Sequence, residues 1–272
     1  MPISLSRFSK KFTVKNTIPD FPLLTHKNFR SSICGLIEPA TIPDFFDNGA
    51  ILLLDKPVGW TSFDVVNKIR NLTRAKKVGH CGTLDPFACG LLILCTGRAT
   101  RIVDEFSGLS KTYWCEFELG KTTDTFDCEG KVISQFPVGD LTIKQLHSLA
   151  VEFTGDIEQV PPAYSAIKVG GVAAYKLARK GKPPELKPRQ VTIHRFEILS
   201  YEKPFITARI HCSKGTYIRA MARDFGSRVG CGAIVKRLIR ESIGDYSCAD
   251  ALTIEQIKET IQLMRASHAH KN

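Results

Sequence analysis

Asp85 stands directly before Pro86 in the stretch Gly79 to Leu92, GHCGTLDPFACGLL, with small residues on both sides. A residue that precedes proline is pushed out of the α region towards an extended backbone. Gly79, Gly82 and Gly90 permit tight turns and close backbone approach. An acid on so constrained a loop is poorly placed for packing and well placed to offer its carboxylate to a ligand, as nucleophile or base. The alternative is an Asx turn in which Asp85 bonds only its own backbone. Arg219, in GTYIRAMARDFG, falls in the first turn of a helical periodicity carried by Tyr217, Ala220, Met221 and Phe225. A helix dipole disfavours a cation there, so Arg219 either has a carboxylate partner or lies on the surface. Asp124 and Asp127, three apart in TTDTFD, could suggest a metal, but nothing nearby completes a ligand set. Structural hydrogen bonding accounts for them equally well.

The elements that position these residues are partly readable. Ile51 to Leu54 is a short apolar run ending at DKP, and Leu91 to Leu94 is another, both consistent with buried strands. Between them, Thr61 and Asp64 have capping-box spacing, and Val65, Val66, Ile69 and Leu72 follow on one helical face. Lys68, Arg70, Arg74, Lys76 and Lys77 lie on this helix or just past it. Such a face is usually only solvated, but it immediately precedes the Asp85 loop, which favours phosphate contact. Lys111 to Leu119 alternates, with Tyr113, Cys115, Phe117 and Leu119 on the apolar side. Tyr113 is then a core tyrosine whose hydroxyl needs a partner. Thr142 with Gln145, and Thr253 with Gln256, open two further helices, Ala173 to Arg179 has helical character, and Val191–Leu199 pairs with Phe205–Cys212.

The 272 residues allow one large domain, or a domain with a small appendage, and a 43% hydrophobic fraction is ordinary for a sizeable core. Thirty-eight basic against 27 acidic residues give +11, a balance that points first to nucleic acid as partner. Nine scattered cysteines form no CxxC pair and no zinc spacing, and read as small packed side chains in a reducing compartment. There is no Walker A loop, no Rossmann fingerprint, no membrane span and no secretory signal. The first residues, MPISLSRFSKKFTVKNT, are basic, hydroxyl-rich and free of acids. They fit an organelle transit peptide or a basic arm that touches RNA.

GHxGTLDPxAxGLL resembles the catalytic motif of the TruB-type tRNA pseudouridine synthases. The resemblance continues in order through KTYWCEFEL, GKTTDTFDCEG, VPPAYSAIKVG, CSKGTYIR and GCGAIVKRLIR, from about Ala50 to Tyr246. It implies an α+β pseudouridine synthase fold, a mixed, mainly antiparallel central sheet flanked by helices and loops. It implies a catalytic domain over 49–248, an N-terminal basic extension over 1–48, disordered or targeting, and a C-terminal helix and tail over 249–272 without the PUA domain of many bacterial members. The implied reaction is isomerisation of uridine 55 in the tRNA T-loop after base flipping. It needs no cofactor and no metal, because no redox change or group donor is involved.

By the same resemblance Asp85 is the catalytic carboxylate, Arg219 its salt-bridge partner, and Asp127 the acid that fixes Arg219. Tyr113 stacks on the target base, Leu238 packs against its ring, and His80 enters the T-loop to fill the vacated space. On residue type alone, Leu238 is plain core and a lone histidine such as His80 is more often structural. The implied partner is the T-arm of tRNA, the expected state a monomer and the expected location cytoplasmic, or a plastid or mitochondrion if the N-terminal segment is a transit peptide. Two other classes fit less of the chain: a non-catalytic RNA-binding protein of the same fold, and an Asp-dependent hydrolase. The first does not need Asp85, and the second needs a further acid or a metal beside it.

Overall fold

The computed structural model describes residues 21–36 and 41–269. In chain order they form β1 (Leu23–Leu24), α1 (Phe29–Cys34), α2 (Thr41–Asn48), β2 (Ile51–Lys56), α3 (Ser62–Thr73), β3 (Val78–His80), β4 (Cys89–Thr96), α4 (Val103–Gly108) and β5 (Lys111–Leu119). A hairpin of β6 (Lys121–Thr123) and β7 (Val132–Gln135) leads to α5 (Ile143–Glu152) and β8 (Gly155–Gln159). The short pair β9 (Lys168–Val169) and β10 (Val172–Ala173) precedes α6 (Ala174–Arg179). The long strands β11 (Arg189–Glu202) and β12 (Phe205–Cys212) come next, then α7 (Ile218–Val229), β13 (Ala233–Ile243), β14 (Tyr246–Ser247) and α8 (Ile254–Ala269).

One sheet organises the molecule, in the order β1-β2-β4-β13-β5-β12-β11-β8, with β3 also on β4 and β14 on β13. Among the described strands of this sheet, only the β1–β2 and β4–β13 pairs are parallel. The sheet is therefore mixed and mainly antiparallel, the α+β arrangement that the family resemblance implies. β2 is buried along nearly its whole length because it lies between two apolar layers. Leu52 and Leu54 pack towards α3 and α8, while Ile51 and Leu53 face the layer that contains Ile93 and Phe106. On β5, Tyr113, Cys115, Phe117 and Leu119 alternate inward as expected, against α5 and α7.

The three helix starts marked by capping pairs are real. Thr61 and Asp64 bond reciprocally at the head of α3, and Thr142 and Gln145 at the head of α5. Thr253 and Gln256 exchange backbone bonds of 2.8 and 3.2 Å at α8. Within the segment set apart above as a 1–48 extension, residues 21–36 and 41–48 are described, and they are built into the fold. Leu24 pairs in register with Leu52, and Phe29, Ile33, Ile42 and Phe46 are buried. These elements are two to eight residues long, too short to show a period in sequence. The transit-peptide or basic-arm reading of residues 1–17 falls outside the described residues. Among the described residues, no helix is long and apolar enough to cross a membrane.

β13 is a central strand that the sequence reading left unassigned. Its four charged residues Lys236, Arg237, Arg240 and Glu241 interrupt the apolar alternation. It meets β4 through Gly90, whose φ is +101°, and a Cβ there would lie 2.5 Å from the Arg240 carbonyl oxygen. Glycine is required at that contact for both reasons.

Candidate active site

The loop from Cys81 to Ala88 joins β3 to β4, so both of its ends are anchored in the sheet. Asp85 hangs from it and meets Arg219 in a two-pronged contact. Arg219 Nε donates to Asp85 Oδ2 at 2.8 Å and Nη2 to Oδ1 at 2.9 Å. The same guanidinium donates to the Thr125 carbonyl at 3.1 Å and the Tyr164 carbonyl at 2.9 Å, and approaches Asp127 Oδ2 at 3.5 Å. Five acceptor atoms therefore fix one planar cation, a geometry that arginine meets and lysine does not. Arg219 occupies the first turn of α7, and the dipole cost of a cation there is offset by these two carboxylates. Its side chain is 5% exposed and that of Asp85 is 29% exposed. The carboxylate is thus oriented from behind and open in front.

Asp127 is buried on the strand side of the β6–β7 turn and accepts from the Thr125 hydroxyl at 2.5 Å and the Glu129 N–H at 3.1 Å. Burial pushes its carboxyl up from the usual range, while the Thr125 hydroxyl, the Arg219 guanidinium and the Glu129 N–H pull the other way. Asp124 takes no part in the ion pair. It accepts from Lys131 N–H at 2.7 Å and closes the turn. Tyr113 is buried and packs in one apolar cluster with Leu84 and Leu238, so the loop, β5 and β13 converge beside Asp85. Burial pushes the Tyr113 phenol up, opposed by the Arg240 guanidinium, and the phenol stays protonated at neutral pH. His80 ends β3, opposite Leu94. Its Nδ1 is buried without a partner, and burial, then the charge of Arg240, lower its pKa. The imidazole is therefore neutral at pH 7, and no hydrogen bond links it to Asp85.

Three residues of this site escaped the sequence reading. Gln159, at the end of β8, accepts from Tyr217 N–H at 2.8 Å and donates to its carbonyl at 3.2 Å, which pins the start of α7 just before Arg219. Arg240 is 1% exposed and reaches the loop from β13. The apparent signal was its spacing of two from Leu238, which puts both on one face of a strand. Lys56 ends the apolar strand β2 and is fully buried. Its amine donates to the carbonyls of Pro57 at 2.9 Å, Trp60 at 2.6 Å and Pro86 at 3.3 Å.

Burial lowers the Lys56 pKa from 10.5 to about 8. As pH falls from 10.5 towards 8, the unfolded chain gains this proton before the folded protein does, so stability from this group declines over that window and is flat below it. Denaturant titrations of wild type and Lys56→Met at pH 7 to 10 are expected to show the difference changing in favour of wild type above pH 8. A difference that stays constant across that range would contradict the assignment.

The loop is also tied to α3. The Ser62 hydroxyl accepts from Leu84 N–H at 2.9 Å and donates to the Leu84 carbonyl at 3.2 Å, at a site 2% exposed. Ser62→Ala leaves both backbone groups buried without partners. A loss of about 1–3 kcal/mol is expected, measured by urea unfolding.

Comparison with known proteins follows the same lines. A family model described as TruB family pseudouridylate synthase (N terminal domain) matches residues 70–218. A relative from Endomicrobium trichonymphae named tRNA pseudouridine synthase B is 45% identical over 215 residues, spanning 79% of this chain and 94% of the relative. One of the same name from Bacteroides thetaiotaomicron is 43% identical over 237 residues, spanning 84% of this chain and 99% of the relative. Among solved structures, a chain of the archaeal box H/ACA sRNP Nop10–Cbf5 complex matches with a TM-score of 0.61 at 24% identity, over 82% of this chain and 57% of that chain. A chain of a Cbf5–Nop10–Gar1 complex matches with a TM-score of 0.60 at 26% identity, over 80% and 56%. This chain spans little more than half the length of those two structures, whose likeness is one of fold.

Proposed function

The chain belongs to the TruB family of pseudouridylate synthases, and we propose that it isomerises uridine 55 in the T-loop of tRNA, with Asp85 as the catalytic carboxylate. The reaction class is an isomerisation. The bond from N1 of the base to the ribose breaks, the base turns, C5 joins the ribose, the C5 proton leaves to solvent, and N1 takes up a proton from solvent in its place. Atoms balance without a donor or an oxidant.

The observation that carries the reading is the Asp85–Arg219 pair. A carboxylate gripped by two donors of a buried arginine and still 29% exposed is oriented yet reachable. A purely structural ion pair gains nothing from that opening. In this reading Tyr113 stacks on the flipped base, Leu238 packs against its ring, and Asp127 steadies Arg219. His80, neutral and with Nδ1 unpartnered, enters the space that the base leaves. Arg74, Lys76 and Lys77, exposed just past α3, contact phosphates of the T-arm, a role that makes affinity fall with salt. The tRNA substrate is supported by relatives that are named for it and match over nearly their whole length.

The test is tritium release from a tRNA transcript labelled at uridine C5. Wild type is expected to release label from one uridine per transcript, and none when position 55 is cytidine. Release that persists in the cytidine transcript would overturn the position, and absence of release from any tRNA would overturn the function.

A further inference from the structure

We propose that Arg240 is a positioning residue for the catalytic loop, a clamp that holds the loop's incoming and outgoing arms in the register at which Asp85 meets Arg219. The proposal deepens the synthase reading and rests on it for its kinetic arm only. Among the described residues, Arg240 is the largest fully buried side chain. Its Nε donates to the Leu91 carbonyl at 2.7 Å, on the arm that leaves the loop. Its Nη2 and Nη1 donate to the carbonyls of Gly82 at 3.2 Å and Thr83 at 3.3 Å, on the arm that enters it. Asp85 lies between these arms in sequence, two residues after Thr83 and six before Leu91.

The β3–β4 pairing runs to His80 opposite Leu94 and one bond further, Cys81 N–H to the Ile93 carbonyl at 2.9 Å, and beyond that point the guanidinium plane sets the distance between Gly82–Thr83 and Leu91. Loop carbonyls in a buried place need donors, and a single arginine serves three of them. A lysine amine brings a point charge without the fork. The clamp depends on the β4–β13 contact at Gly90, because Arg240 pairs with Gly90 on one side and with Tyr113 on the other. One residue therefore fixes the catalytic loop relative to the strand that carries Tyr113.

Packing alone does not explain the choice. Burying a cation costs desolvation energy, and apolar side chains of similar volume often replace buried charges without loss of stability. The three carbonyl dipoles receive the charge of Arg240, and its field also reaches His80 and Tyr113. Arg240 is 1% exposed, so it acts through the loop and does not touch a substrate.

The test compares wild type, Arg240→Met and Arg240→Lys as full chains. Amide hydrogen exchange is followed in the free proteins, and kcat, KM and tRNA affinity are measured with the C5-tritiated transcript. For Arg240→Met, exchange in residues 79–92 is expected to accelerate at least about tenfold, with β5 and β12 still protected. Its kcat should fall on the order of 100-fold, the usual cost of a misplacement near 1 Å, with tRNA affinity within about threefold of wild type. Arg240→Lys, which keeps the charge but not the planar fork, should recover part of each; it also serves if the methionine variant does not fold.

Unchanged loop exchange with unchanged kcat would overturn the clamp. So would acceleration spread evenly over β5 and β12, which marks a plain core role, or full recovery by lysine, which marks charge alone. If wild type releases no tritium at all, the synthase reading falls and the exchange pattern by itself still decides for or against the clamp.

Discussion

Asp85→Asn is expected to abolish tritium release while leaving tRNA affinity and the unfolding midpoint close to wild type. The substitution keeps the shape of the side chain and the bend before Pro86. It removes the negative charge and one acceptor from the contact with Arg219, whose Nε and Nη2 lie 2.8 and 2.9 Å from the two carboxylate oxygens. A neutral amide cannot attack a ring or sugar carbon at useful rates, nor take a proton from one, so the loss belongs in kcat. Removal of an essential group of this kind costs about 10^4-fold or more in turnover. Stability should change little, because Arg219 keeps Asp127 and two carbonyl oxygens as partners. Asp85 is also the more open member of the pair, so less of its charge is desolvated to begin with. Single-turnover release at saturating enzyme separates the two quantities. If Asp85→Asn keeps more than about a tenth of wild-type kcat, the carboxylate is not the catalytic group and the acid nearest to hand, Asp127, becomes the candidate.

Much of this arrangement was legible in the chain because local rules and tertiary demands agree there. The alternation from Lys111 to Leu119 put Tyr113 on the buried face, and the structure keeps it there. Capping pairs located the heads of α3, α5 and α8 to the residue. What stayed hidden has a common cause: groups that act through backbone acceptors carry no sequence signature. The Thr125 and Tyr164 carbonyls that complete the shell of Arg219 lie 94 and 55 residues away from it. Lys56 and Arg240 drew no reading from the sequence, and lysine and arginine are rarely fully buried. Both are buried because they donate to loop carbonyls. β13 was concealed by its four charged residues, although Leu238 and Arg240, two apart, already share its inward face. The strand β1 and the helices α1 and α2 were too short to announce themselves.

Replacing Arg219 should produce the largest combined effect on the protein, and two substitutions divide it into parts. Arg219→Met leaves Asp85 and the 6%-exposed side chain of Asp127 facing each other without a cation, together with the Thr125 and Tyr164 carbonyls. Breaking a buried ion pair on one side costs about 3–5 kcal/mol. Part of that cost should return on acidification, because burial already pushes the Asp127 carboxyl up and its protonation removes the buried unpaired charge. Arg219→Lys keeps the charge but not the fork. One ammonium cannot hold both oxygens of Asp85 and reach Asp127 and two carbonyls at once. Its stability should stay within about 2 kcal/mol of wild type, while kcat falls on the order of 100-fold because the carboxylate is no longer aimed. Urea unfolding at pH 5 and pH 7.5, beside tritium release for both variants, measures the two effects separately. A lysine variant with wild-type kcat would mean that the charge of Arg219 suffices and its geometry does not matter. Equal stability loss in both variants would mean that the contacts to Thr125 and Tyr164, and not the carboxylates, are what Arg219 contributes to the fold.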